Sequence, residues 1–248
     1  MKNPTGQIYI GTSGWSYENW EGAFYPAGLP QKSQFEFYSH QFSTVEINAT
    51  FYHLPHLKTV RNWRDKAPPG FVFAVKGGRF ITHIKKLADL GDATRRFFQR
   101  IKPMMKRIGV VLWQLPPSLK KDAPLLEQFL RRLSRRFRHA VEFRDPSWLD
   151  EEIFGILQRH KIALVSVSSQ RMPMNLAVTT NFVYIRFHGL AGGARHDYSR
   201  GELEPWAKHI RQYARAGKIV YAYFNNDLNA RAPDNAKLLR QMVQGNKP

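Results

Sequence analysis

Residues 44–52 read TVEINATFY. β-Branched and aromatic residues make the run a strand. Glu46 and Asn48 alternate with Val45, Ile47 and Ala49, so one side of that strand is polar and the other apolar. A solvated outer face would explain the pattern. The rest of the chain gives it a different meaning.

Eight short apolar runs recur along the 248 residues: QIYIGTSGW, TVEINATFY, FVFAVKGG, GVVLWQLPP, HAVEFRD, IALVSVSS, FVYIRFHG and IVYAYFNND. Helix-compatible segments such as QKSQFEFYSHQF, LKTVRNWRDKA, SWLDEEIFGILQRHK and GELEPWAKHIRQYARAGK lie between most of them. The sixth connection, QRMPMNLAVTTN, is the weakest helix candidate. Strand–helix alternation repeated eight times predicts a single (β/α)8 TIM barrel spanning 1–248. No G-x-G-x-x-G follows the first run, which argues against a doubly wound open sheet.

In a barrel, one side of each strand meets the outer helices and must be apolar, while the other side fills the barrel. Val45, Ile47 and Ala49 then face outward, leaving Glu46 and Asn48 inward. The same register turns Lys76, Gln114, Glu142, Arg144, Tyr184, Arg186, His188, Tyr221, Tyr223 and Asn225 inward. Most of the polar ones lie late in their strands, so they are expected at the C-terminal mouth, where barrel enzymes keep their sites. Burying ions costs several kcal/mol each unless they are paired, so folding alone would favour Val or Ile at these positions. A structural salt-bridge network is the alternative to a ligand site.

Composition narrows the function classes. Hydrophobic content of 43% and charged content of 23% are those of a globular chain, which excludes disorder. The absence of cysteine removes disulfides, thiolate metal sites and cysteine nucleophiles. The N-terminus MKNPTGQIYIGTSGW has no apolar h-region and no run is long enough to cross a membrane, so a cytoplasmic protein without membrane contact is expected. The formal charge is +19, and 13 Lys or Arg against 3 Asp or Glu between Asp92 and Arg138 supply +10 of it. Two segments read as basic helices, 92–107 and 123–138, and make nucleic acid a candidate partner. No aromatic residue is expected among those arginines as a stacking platform, which leaves a solvated face as the other explanation.

GTSGW (11–15), EINATFY (46–52), KGGRFITHIKKL (76–87), QLPPSL (114–119), EFRDPSW (142–148), YIRFHG (184–189) and YFNND (223–227) together resemble the DUF72 (YecE-like) family over nearly the whole chain. The resemblance implies a TIM barrel and leaves the activity open. Two positions depart from it. The sixth strand ends in Ser166–Val167–Ser168 where an Asp is common, and Ala230 stands where a Gly is common after NND.

Glu46 and Glu142 are the inward carboxylates, which suits a general acid and base or a glycosidase pair, with pairing to Lys76, Arg144 or Arg186 as the alternative. Lys76 is a base or a counter-ion, His188 a further proton carrier, and Gly77–Gly78 beside Lys76 is expected to permit a tight turn. Arg144, Arg186, Asn48, Gln114 and Asn225 are expected to hold substrate, with Asn226 and Asp227 beside them. Gly189, Gly192 and Gly193 form a candidate phosphate cradle. Trp15, Phe51, Tyr52, Trp148 and Tyr223 form a candidate aromatic rim. Lys76 and two arginines in the same cup oppose a divalent cation, so neither a metal nor another cofactor is expected. GTSGW lacks the spacing of a nucleophile elbow.

The expected function is therefore metal-independent acid–base chemistry, of a hydrolase or isomerase, on a polar anionic or sugar-like small molecule. A nucleic-acid-binding protein or nuclease and a non-catalytic ligand-binding barrel are the competing expectations.

Overall fold

Eight strands follow one another in the computed structural model, which describes residues 6–245, with helices between all but the sixth and seventh. The part of the N-terminal segment that falls on residues 1–5 lies outside the described residues. The strands are β1 (Ile8–Thr12), β2 (Thr44–Ile47), β3 (Val72–Lys76), β4 (Ile108–Gln114), β5 (His139–Glu142), β6 (Ala163–Ser168), β7 (Phe182–Phe187) and β8 (Ile219–Phe224). They run in the order β1–β8–β7–β6–β5–β4–β3–β2, and the pairings of β1 with β8, β7 with β8, β3 with β4, β4 with β5 and β5 with β6 are parallel. The helices are α1 (Gln31–Gln41), α2 (Ala49–Tyr52), α3 (Leu57–Lys66), α4 (Ala93–Ile101), α5 (Ala123–Arg131), α6 (Glu151–Arg159), α7 (Arg200–Arg215) and α8 (Arg231–Gln244). This is the (β/α)8 TIM-barrel fold. Residues 170–181, the weakest helix candidate, contain no helix.

Two segments depart from expectation. TVEINATFY is a strand only as far as Ile47; Asn48 takes helical angles and Ala49–Tyr52 make one helical turn. The second basic helix stops at Arg131, because Arg132–Arg138 form turns instead. α5 therefore starts at its Asp122 cap, which accepts from the Leu125 N–H at 2.9 Å, and is half as long as the basic run.

The chain divides into two compact units. One holds residues 46–165 with 175–180. Its core is aromatic: Trp113 of β4 packs against Phe97, Phe98 and Phe129, with ring centroids 5.2 to 6.1 Å away. A Cβ on Gly77 would sit 2.2 Å from the Trp113 ring, while Gly78 has nothing nearer than 3.9 Å. Neither glycine has a positive φ. The expected tight-turn role is corrected: Gly77 makes room for an indole.

The other unit holds residues 1–45, 166–174 and 181–248. Here Tyr9, Tyr221, Tyr184 and Tyr223 stack in sequence on one side of β1, β8 and β7, at 5.3, 6.2 and 5.4 Å. The register places Tyr9 beside Tyr221 and Tyr184 beside Tyr221. Ala230 has φ 56°, the left-handed region that favours glycine. That angle gives a physical reason for the glycine expected there.

Candidate active site

In the unit of residues 46–165, Glu142 ends β5 and is fully buried. The β4–β5 register sets Gln114 directly beside it. Gln114 Nε2 donates to Glu142 Oε1 at 2.9 Å, and the Arg144 guanidinium donates to the same oxygen at 3.0 Å. Arg144 lies two residues past the strand end and retains partial exposure, so this ion pair sits at the boundary between core and solvent. Charge-assisted bonds of this kind hold a carboxylate ionised in a place where burial opposes it.

Lys76 ends β3, is 8% exposed and rests its ammonium 4.2 Å from the centre of the Phe51 ring. Phe51 belongs to the short α2 turn, so the early end of β2 is what brings the ring over the lysine. A desolvated cation on an aromatic face gains about 2 kcal/mol from the ring. Glu46 of β2 is fully buried and Asn48 half-buried, with the Asn48 Oδ1 enclosed and without a hydrogen-bond partner among the described residues.

His83 belongs with this group and was not foreseen. It lies in a π-helix, Phe80–Ile84, a geometry frequent at functional sites. Burial, then the positive charges of Lys76 and Arg79, push its imidazole down to about 4, with Glu142 acting in the opposite sense and Arg144 adding to the fall. Its Nδ1 lies 2.8 Å from Thr82 Oγ1. The signal in the sequence was its place in KGGRFITHIKKL, seven residues past Lys76, in a segment whose helical period is too short to orient a side chain.

The unit containing β1, β7 and β8 has its own polar group. Arg186 is fully buried; its guanidinium lies 3.4 Å from His188 Nε2 and 3.4 Å from Ser13 Oγ. Arginine can only donate, so His188 Nε2 is the acceptor of that contact. Asn225 places its amide nitrogen 3.5 Å from His188 Nδ1.

Several expected site residues make structural contacts. Tyr223 is fully buried with its hydroxyl 2.7 Å from Thr44 Oγ1, and Trp148 is buried, stacked on Phe143 at 4.7 Å and bonded to the Leu119 carbonyl at 2.7 Å. Of the aromatic rim, Tyr52 is exposed at 68% and Trp15 is half-buried against Phe35, while Phe51 is buried at 8%. Asn226 is buried and donates to the His196 carbonyl and Asn235 Oδ1. The Asp227 carbonyl accepts from the Trp20 indole, and burial raises the Asp227 carboxyl above its ordinary value. The glycine cradle is corrected at two of its three positions. The Gly189 N–H is used by Tyr198 Oη at 3.0 Å and the Gly193 N–H by the Leu190 carbonyl at 3.2 Å. Gly189 is glycine because a Cβ would sit 1.9 Å from the Gly193 carbonyl oxygen.

These features describe a (β/α)8 barrel protein whose buried ionic side chains stand at the C-terminal ends of its strands. Residues 9–248 match the family described as "Protein of unknown function DUF72". The chain belongs to the DUF72 family. The UPF0759 protein YunF of Bacillus subtilis is 25% identical across 95% of this chain and 94% of its own length. The UPF0759 protein YecE of Escherichia coli is 33% identical over 57% of this chain and 50% of its own. Among solved structures, a DUF72 family protein from Thermotoga maritima superposes with a TM-score of 0.88 at 30% identity, covering 96% of this chain and 99% of that one. A DUF72 family protein from Enterococcus faecalis, at 18% identity and a TM-score of 0.81, shares the fold.

Proposed function

We propose that the protein is an enzyme performing metal-independent acid–base chemistry on a small anionic or sugar-like molecule at the ends of β2, β3, β4 and β5. The observation that carries this is the buried Glu142 carboxylate held by Gln114 and Arg144, with Glu142 and the strand-end Lys76 both acting on His83. Replacing a buried ion pair by packed apolar side chains is often neutral or stabilising, so folding alone does not call for one here. Glu142 serves as the proton-transferring carboxylate, Lys76 and Arg144 hold the negative part of the substrate, and the Asn48 amide oxygen accepts from a substrate hydroxyl. His83, depressed by burial and by cations, is an unprotonated imidazole at neutral pH and suits accepting a hydrogen bond from a substrate hydroxyl. Tyr52, exposed beside this group in sequence, offers a face for a sugar ring.

The test uses a panel of sugar acids and sugar phosphates, scored by thermal shift and then by proton exchange into substrate in deuterated water. A compound that stabilises the wild type is expected to bind Glu142→Gln within about threefold, with exchange or turnover lost. Lys76→Met is expected to bind it at least tenfold more weakly. Full turnover by Glu142→Gln removes the carboxylate from the chemistry, and wild-type affinity in Lys76→Met removes the site from this end of the strands.

A further inference from the structure

A hollow lies at the other end of β4 and β5 from Gln114 and Glu142. α4 and the 3-10 turn Lys102–Arg107 lead into the start of β4, and Arg132–Phe137 lead into the start of β5. The seven residues of β4 put this end roughly 20 Å from Gln114. Here a cavity of about 380 Å³ is lined by Phe98, Phe137, Thr94 and Met105 and ringed by Arg95, Lys102, Arg132 and Arg136. A second cavity of about 600 Å³ shares Lys102 and Met105 with it and adds Lys106, Arg107 and the Arg64–Asp65 ion pair.

Phe98 and Phe137 are stacked, 5.4 Å apart and 16° from parallel, and both are only half-buried. The absence of an aromatic platform expected from the sequence is therefore overturned. The helical period hid Phe137, because the helix it was assigned to ends six residues earlier. Around the pair, Arg95 is held by Asp92, but Lys102, Lys106, Arg132 and Arg136 have no acidic partner among the described residues. All four are exposed. Mutual repulsion of unpaired cations is a cost to folding that a bound anion would relieve.

We infer that this hollow binds single-stranded nucleic acid, with phosphates along Arg136, Arg132, Lys102 and Lys106 and a base against the Phe98–Phe137 pair. Two adjoining cavities with cations along both fit an extended chain of phosphodiesters better than one phosphorylated small molecule. An apolar floor fits an unpaired base, which a duplex does not present. This surface is independent of the Glu142 site.

The probes are 5′-fluorescein-labelled dT12 and U12, followed by anisotropy over a series of KCl concentrations. The wild type is expected to bind both at 50 mM KCl, and the tighter of the two tells DNA from RNA. Lys102→Ser/Arg132→Ser/Arg136→Ser is expected to bind at least tenfold more weakly and to flatten the log–log salt slope by about 2, since each phosphate contact on a single strand contributes about 0.7. Arg200→Ser/Lys208→Ser/Arg215→Ser removes equal charge from exposed positions of α7 and is expected to change affinity less than twofold. Phe137→Leu keeps the apolar volume and is expected to weaken binding at least fivefold with the slope unchanged. No binding by the wild type, equal weakening in the two triple variants, or a 12-base-pair duplex bound as tightly as dT12 would each overturn the inference. The triple variants replace exposed residues only, so the comparison holds even if Phe137→Leu fails to fold.

Discussion

The indole N–H of Trp113 donates to Nδ1 of His139 at 3.2 Å, while His139 Nε2 lies 2.9 Å from the Ser134 carbonyl. The two contacts fix one tautomer, with the proton on Nε2 and Nδ1 as acceptor. A second proton would have to go on Nδ1, facing a donor. His139 is 4% exposed, and burial pushes it down to about 4. A lowered histidine stabilises the fold fully above the unfolded value of 6.5, and the stabilisation is lost as pH falls from there toward 4, where the unfolded chain takes the proton first. Between pH 7.5 and 5 this is on the order of 2 kcal/mol. Urea unfolding at several pH values is expected to show that loss in the wild type. His139→Gln is expected to be less stable at pH 7.5 yet to lose about 2 kcal/mol less on acidification.

Gly77 and Gly78 are adjacent in sequence but unequal in space. A methyl group at Gly77 meets the six-membered ring of Trp113 at 2.2 Å, and Trp113 is itself fully buried with no room to retreat. Overpacking a filled core costs about 1 to 3 kcal/mol, and this contact lies at the upper end of that range. Gly77→Ala is expected to lower the melting temperature by several degrees, whereas Gly78→Ala, with its nearest neighbour at 3.9 Å, is expected to leave it within about 1 °C. Equal effects at the two positions would mean that the glycines serve backbone freedom after all.

The strands were legible because their signal is local and repeated. Alternation in TVEI, HAVE and FVYIRF marks these runs as strands, and both sides of all three are buried, Glu46, Glu142 and Arg186 included. What was not legible depends on where an element stops. Asn48 and Ala49–Tyr52 continue the strand's composition, yet they turn helical, and Phe51 thereby reaches Lys76. The run 123–138 keeps a helical period past the true end of α5, so that period does not place Phe137. His83 sits in a π-turn that has no sequence period to read. Hydrogen bonds such as those of Gly189 and Asn226 join residues distant in the chain, and no spacing rule announces them.

Tyr38 of α1 joins β1 to the first residue of β2. Its hydroxyl accepts from the Thr12 N–H at 3.0 Å and from Thr12 Oγ1 at 2.9 Å, and donates to the Thr44 carbonyl at 3.0 Å. All three partners are buried, and burial holds the phenol far above its ordinary value, so it remains a neutral donor at every accessible pH. Tyr38→Phe keeps the ring and strips these bonds. Leaving a buried donor or acceptor unsatisfied costs about 1 to 3 kcal/mol. A loss of about 2 to 3 kcal/mol in urea unfolding is expected, with an unchanged m-value because the same surface is exposed on unfolding. A loss below about 0.5 kcal/mol would mean that water replaces the hydroxyl.

The titration of His83 reports directly on the group around Glu142. Burial is the largest cause of its depression to about 4, and the charge of Lys76 comes next; Glu142 works against both. Removing the lysine charge must therefore raise the histidine, and removing the carboxylate charge must lower it. NMR titration of the His83 ring protons is expected to give a midpoint near 4 in the wild type. Lys76→Met is expected to move it upward but keep it below 6.5, since burial persists, and Glu142→Gln to move it further down. Opposite signs from two substitutions cannot arise from general loosening, which would carry both midpoints toward the ordinary value. If both variants shift His83 upward, the imidazole does not sense the two charges separately, and its place in the group around Glu142 fails.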